Sequence, residues 1–254
     1  MKTKSSTMTH FMTTPCGTSI AYDCQVHDDA ATTVCFLPGF MSNKKGTKAQ
    51  FLAEFCQDYA LNYHALDYRG HGESGGNFQE LTLSDWLVDC ERLLAKIDQP
   101  LILVGSSMGG WLSLLLARRY AQKIAGLVLL APAPDFTVRL MQGFTPAQKD
   151  DLQSQGFVSI DSGYETPHIF TRKLIEDGEK HLMSQSDIAL EMPVSILQGK
   201  KDTSVLWQET TQLLTHIQSP MVRYHLIEKA DHGLSRPEDL ALLAEEILRL
   251  SAAT

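Results

Sequence analysis

An apolar run, Leu101-Ile102-Leu103-Val104, leads directly into Gly105-Ser106-Ser107-Met108-Gly109 and then into a stretch that is apolar on nearly every side as far as Tyr120. No other feature constrains the fold as much. A run of strand formers without polar alternation suits a strand covered on both faces. A helix that is apolar nearly all round is also buried. Joining the two by so short a turn requires a sharp bend. Gly105 and Gly109, two residues before and two after Ser107, lack the side chains that would block it. A G-x-S-x-G turn between strand and helix lifts the Ser107 hydroxyl clear of the sheet. It also sets that serine at a helix N-terminus, where the dipole favours developing negative charge.

The remaining sequence repeats the alternation. Phe11–Thr14 and Ser19–Val26 read as a hairpin turning near Cys16-Gly17-Thr18. Thr32–Leu37, Tyr63–Tyr68, Ile124–Leu130, Val194–Leu197 and Met221–Ile227 read as strands. Helices are expected over Lys44–Tyr59, from a Ser84 cap to Ile97, between the last two strands, and from a Ser235/Glu238 capping box to Leu250. Strands alternating with helices predict an α/β protein whose mainly parallel sheet has helices on both faces. Residues 135–191 break the rhythm, with no strand-like run between Asp135 and Glu191. Thr145-Pro146 and Thr166-Pro167 read as helix starts, and Gly178 as the end of the second helix. The segment is too long for an ordinary crossover and reads as a helical cap or lid inserted in a single domain spanning residues 1–254.

Composition narrows the function. With 254 residues and 43% hydrophobic content, the chain can bury a core without disulfides or metal. A net charge of −8 argues against nucleic acid and anionic membranes as partners. The five cysteines, Cys16, Cys24, Cys35, Cys56 and Cys90, are odd in number and lack zinc-ligand spacing. They read as reduced thiols of a cytoplasmic protein. The opening MKTKSSTMTHFMTT has neither the apolar core of a secretory signal nor the arginines of a transit peptide. Pro100–Ala117 is uncharged, but glycines and serines interrupt it too often for a transmembrane segment.

A serine nucleophile needs a base, and the base needs an orienting acid. Asp202 follows a predicted strand through Gln198-Gly199-Lys200-Lys201, and His232 follows the last strand within Asp231-His232-Gly233. Both therefore fall at the carboxyl edge of the sheet, in the order Ser, Asp, His. Asp135 is the reserve acid. His71, His168, His181, His216 and His225 are weaker candidates for the base. The oxyanion donors expected are the backbone N–H of Met108, after the nucleophile, and of Phe40, in the Leu37-Pro38-Gly39-Phe40-Met41 loop. Met41, Trp111, Phe136, Leu140, Phe144 and Trp207 are candidates to line an apolar substrate pocket.

Together, the Pro38-Gly39-Phe40 loop, Asp67-Tyr68-Arg69-Gly70-His71-Gly72-Glu73-Ser74, the Gly105–Gly110 turn, Gln198–Asp202 and Asp231-His232-Gly233 resemble the α/β-hydrolase superfamily from about Phe11 onward. The resemblance implies an eight-stranded, mostly parallel sheet. A narrower likeness lies in Asn43-Lys44-Lys45-Gly46-Thr47-Lys48-Ala49, Glu54-Phe55-Cys56 and Val104–Leu112. These are similar to the mitochondrial palmitoyl-protein thioesterase group, also called mycophenolic acid acyl-glucuronide esterase. That likeness implies a serine hydrolase of acyl esters or thioesters, with S-acylated proteins among its substrates and with neither cofactor nor metal. The alternatives are an acylglycerol lipase, another α/β-hydrolase reaction such as carbon–carbon cleavage, or a binding module that has lost catalysis.

Overall fold

The computed structural model describes residues 7–161 and 167–252. Eight strands form the main sheet: β1 (Met8–Thr13), β2 (Ser19–Gln25), β3 (Thr33–Leu37), β4 (Asn62–Leu66), β5 (Leu101–Ser106), β6 (Ile124–Leu130), β7 (Val194–Gly199) and β8 (Val222–Ile227). They lie in the order β1-β2-β4-β3-β5-β6-β7-β8. Only β2 runs against its neighbours, pairing antiparallel with both β1 and β4. Strand order reverses between β4-β3 and β5-β6, so the loops leaving β3 and β5 meet at the switch point of the sheet, where open α/β sheets build their sites.

Alternation along β5 divides the core in two. Leu101 and Leu103 join one apolar cluster, which includes Trp86 and Leu87 of α2 (Leu83–Leu94) and Trp111 and Leu112 of α3 (Met108–Arg119). Ile102 and Val104 join the other, with Leu52 and Phe55 of α1 (Thr47–Asp58) and Leu243 and Ile247 of α8 (Pro237–Ser251). Helices thus cover both faces, which explains why β5 carries no polar residue along its apolar run. None of the helices described is long and apolar enough to cross a membrane.

Two helix starts differ from those expected. Thr82, not Ser84, caps α2: the Asp85 carboxylate accepts from both the Thr82 N–H and its hydroxyl. Arg236 precedes α8, and Asp239 accepts from the Arg236 N–H and guanidinium, in place of the Ser235/Glu238 pair. In each case an aspartate three residues on, with its short, stiff side chain, reaches back to the cap.

Residues 135–191 are not wholly helical. After α4 (Phe136–Gly143) and α5 (Pro146–Ser154), the latter capped by Thr145 as expected, Phe157–Ile160 pairs antiparallel with His168–Thr171. Thr166 lies outside the described residues. Pro167 leads into that second strand, and α6 (Arg172–Gly178) begins only where the Thr171 hydroxyl accepts from the Leu174 N–H. Both strands are rich in aromatic and β-branched residues, as the pairing requires. The two ends of the segment are tied together. The Asp135 carboxylate accepts from the Met183 and Ser184 amides, each at 2.8 Å, and from the Ser184 hydroxyl. Asp177 of α6 accepts from the Ser84 N–H at 2.7 Å and its hydroxyl at 2.9 Å, anchoring the segment to α2.

Candidate active site

Ser107 stands between β5 and α3 with φ 54° and ψ −115°, a conformation that a non-glycine residue adopts only under constraint. The glycines explain how the chain accommodates it. A Cβ on Gly105 would lie 2.4 Å from the Gly109 carbonyl oxygen, and one on Gly109 would lie 2.0 Å from that of Leu37. Both backbone groups of Ser107 are engaged. The Ser107 N–H donates to Leu130 O, and the Ser107 carbonyl accepts from Gly110, Trp111 and Ala133.

The loops after β7 and β8 touch closely. A Cβ on Gly199 would come within 2.5 Å of both the Ala230 and Asp231 carbonyl oxygens. The contact seats His232 beside Asp202, with Nδ1 2.7 Å from Oδ2. Asp202 is buried and fully bonded: Oδ1 accepts from the Ser204 and Val205 amides, and Oδ2 accepts from His232 and from Gln198 Nε2. Burial alone would raise the Asp202 carboxyl, but hydrogen bonds from His232 and from the two amides outweigh it and hold the carboxyl below its ordinary range. When neutral, His232 protonated on Nδ1 keeps a lone pair on Nε2, as a general base requires. Lys48 of α1 donates to the Gly233 carbonyl and braces this loop.

Other candidates are occupied elsewhere. Asp135 holds Met183 and Ser184, and Asp231 caps its own Gly233 amide. His225 pairs with Glu246, and His181 contacts Ser84. His216 lies in α7 (Trp207–His216).

The loop after β3 passes beside the serine, where a Cβ on Gly39 would lie 3.4 Å from Ser107 Cβ. The Phe40 and Met108 N–H groups have no partner among the described residues. Met108 is the first residue of α3, so its N–H has no intrahelical acceptor.

Of the expected pocket residues, Phe136 and Met41 meet at Phe40. Phe40 is the centre of an aromatic cluster: its ring lies 5.8 Å from Phe136, 5.3 Å from Phe78 and 6.0 Å from Trp86. It also stacks at 5.0 Å and 7° on Phe170 and lies edge-on to His168 at 5.9 Å. Met41 Sδ receives the Ile169 N–H. Leu140 is half-buried on α4, and Phe144 is buried just beyond it. Trp111 is fully buried, with its indole N–H given to His181 O and its ring edge-on to Phe136 at 5.6 Å, so it joins α3 to residues 135–191. Trp207 opens α7 outside the aromatic cluster. Sequence reading missed Phe78 and Phe170, and named only as a weaker base candidate His168. The last two belong to the hairpin, and only a strand period in its four residues could have signalled them. No group of acidic, histidine or cysteine side chains among the described residues is arranged to hold a metal.

Comparison with known proteins places the chain in a family. Residues 28–158 match the family described as serine aminopeptidase, S33. The chain is 33% identical over 217 residues to the mitochondrial palmitoyl-protein thioesterase ABHD10 of Bos taurus, covering 84% of this chain and 71% of that protein. Among solved structures, a protein of Agrobacterium vitis S4 superposes with a TM-score of 0.92 at 33% identity, over 96% of this chain and 98% of that one. Mouse alpha/beta hydrolase domain-containing protein 10 superposes with a TM-score of 0.86 at 30% identity, with the same coverage of each chain. The chain belongs to the α/β-hydrolase family described as serine aminopeptidase, S33.

Proposed function

We propose that the protein hydrolyses acyl esters and thioesters through an acyl-enzyme on Ser107. One observation carries this reading: a strained serine elbow shares the sheet edge with a histidine bonded through Nδ1 to a buried aspartate. His232 Nε2 takes the Ser107 proton as Oγ adds to the acyl carbonyl. The Phe40 and Met108 N–H groups hold the oxyanion. Asp202 fixes the tautomer and stabilises the imidazolium. The carbon–oxygen or carbon–sulfur bond then breaks, and His232 returns its proton to the departing group. Water, deprotonated by His232, attacks the acyl-enzyme and releases the acid and Ser107. A thiol of pKa about 8.5 needs little acid help to leave, so a thioester suits the site.

The cluster around Phe40 supports an apolar acyl group, and the name of the Bos taurus relative supports an S-acylated protein as its source. The test is a panel of a short nitrophenyl ester, a palmitoyl-cysteine peptide, an acyl glucuronide and a monoacylglycerol, run on wild type and Ser107→Ala, with fluorophosphonate labelling alongside. Turnover of the ester and the peptide, and labelling lost in Ser107→Ala, are expected. Labelling retained in that variant would sink the assignment. Turnover of the monoacylglycerol alone would make the protein an acylglycerol lipase, and tight binding without turnover would make it a receptor.

A further inference from the structure

The stretch Asp67-Tyr68-Arg69-Gly70-His71-Gly72 supplies none of the groups used above, yet three of its side chains grip the loop that carries Phe40. The Tyr68 hydroxyl donates to the Pro38 carbonyl at 2.9 Å. The Met41 N–H donates to His71 Nε2 at 3.2 Å. The Lys44 N–H donates to Asp67 Oδ1 at 2.7 Å. Pro38 and Met41 lie on either side of the peptide that presents the Phe40 N–H, so its direction is fixed from both ends.

We infer that this stretch is a clamp that sets the oxyanion loop, and that His71 is the positioning residue that holds the amide next to Phe40. The inference rests on the oxyanion role proposed for Phe40. Two hydrogen bonds determine the tautomer of His71. Nδ1 lies 3.2 Å from the Arg69 carbonyl, which can only accept, so Nδ1 carries the proton and Nε2 is left to accept from Met41. The ring cannot turn away. It is 4% exposed and walled by Tyr68 at 5.4 Å and by Phe78 and Trp86 at 5.1 Å each. What it holds is strained: Met41 has φ 52°, in the left-handed region disfavoured for a side chain of its size. The glycines of the stretch allow it to fold so tightly. Gly72, at φ 50°, could take no Cβ without striking the Asp67 carboxylate at 2.1 Å.

The test compares His71→Leu with His71→Gln. Leucine fills the space without accepting a hydrogen bond, whereas glutamine Oε1 can accept from Met41. If the bond positions the loop, His71→Leu lowers kcat on the nitrophenyl ester by about 10- to 100-fold with KM changed less than about twofold, because a misplaced oxyanion donor weakens only the transition state. His71→Gln should restore kcat to within about fivefold, at a melting temperature equal to that of the leucine variant. Unchanged kcat in a folded leucine variant, or equal loss in both variants, would overturn the inference. If the leucine variant does not fold, Tyr68→Phe, which removes one hydroxyl, decides instead: a drop in kcat at constant KM supports the clamp, and wild-type kcat refutes it. The site of fluorophosphonate labelling in wild type keeps the two questions apart. Labelling away from Ser107 would overturn the catalytic assignment, whatever the His71 variants do.

Discussion

Replacing Asp202 by asparagine should remove most of the activity while leaving the fold in place, and the reason can be followed atom by atom. Asp202 Oδ1 accepts from two backbone amides, Ser204 at 2.8 Å and Val205 at 2.9 Å. An asparagine must keep its oxygen there, since its NH₂ cannot face two N–H donors. The NH₂ then occupies the place of Oδ2, opposite His232 Nδ1 at 2.7 Å and Gln198 Nε2 at 3.2 Å. A donor now meets His232, so the neutral ring must put its proton on Nε2, and it can no longer accept from Ser107. A histidine held in the wrong tautomer costs about 10⁴-fold in kcat in the serine-protease precedent. Such a factor corresponds to about 5.4 kcal/mol at 1.36 kcal/mol per decade. Steady-state kinetics on a short nitrophenyl ester, with a thermal melt of the same sample, measure both sides. Activity within tenfold of wild type in a folded variant would refute both the tautomer argument and the role of Asp202.

Four further predictions follow from packing and burial. Gly109→Ala should fail to reach wild-type stability by more than the roughly 1–3 kcal/mol of ordinary overpacking, because its Cβ would strike the Leu37 and Pro38 carbonyls. Gly143→Ala, at the end of α4 with open space around it, should leave the melting temperature level or slightly higher. Phe170→Ala removes the ring stacked on Phe40 and should raise KM for a palmitoyl-cysteine peptide more than for a short ester, as kinetics on the two substrates would reveal. His64, buried between β2 and β3, has its pKa lowered to about 4 by burial and by nearby His10. The unfolded chain therefore binds the proton first as pH falls below about 6.5, and stability present at pH 7 is lost down to about pH 4. That loss is on the order of 2 kcal/mol by pH 5. In melts at pH 7 and pH 5, His64→Gln should fall less than wild type, and parallel falls would contradict the assignment.

The sheet and its edge were legible because their signals are local and redundant. Leu101–Val104 could only be a doubly covered strand, and Gly105 and Gly109 only the turn that β5 and α3 require. The pairing of Asp202 with His232 was legible from their places after β7 and β8, a rule of topology rather than of distance. Other features were not readable, because they depend on contacts between distant residues. Ser84 looks like a helix cap, yet its N–H and hydroxyl are committed to Asp177, far along the chain. The Phe157–Ile160 and His168–Thr171 strands are too short for a period to emerge. The Trp111 indole N–H goes to His181 O, a partner 70 residues away. The hold of His71 on Met41 links residues 30 apart and leaves no trace in either neighbourhood.

The way residues 135–191 are fastened has a consequence for exchange between homologues. Their fixed points are Asp135, which follows β6 and holds Met183 and Ser184, and Asp177, which holds Ser84 of α2. Between them, one strand of the hairpin reaches Phe40 and Met41 through the Phe170 and His168 rings and the Ile169 amide. Exchanging His168, Ile169 or Phe170 for the residues of a homologue should therefore change what packs on Phe40 and Met41 while the ties at Asp135 and Asp177 stay in place.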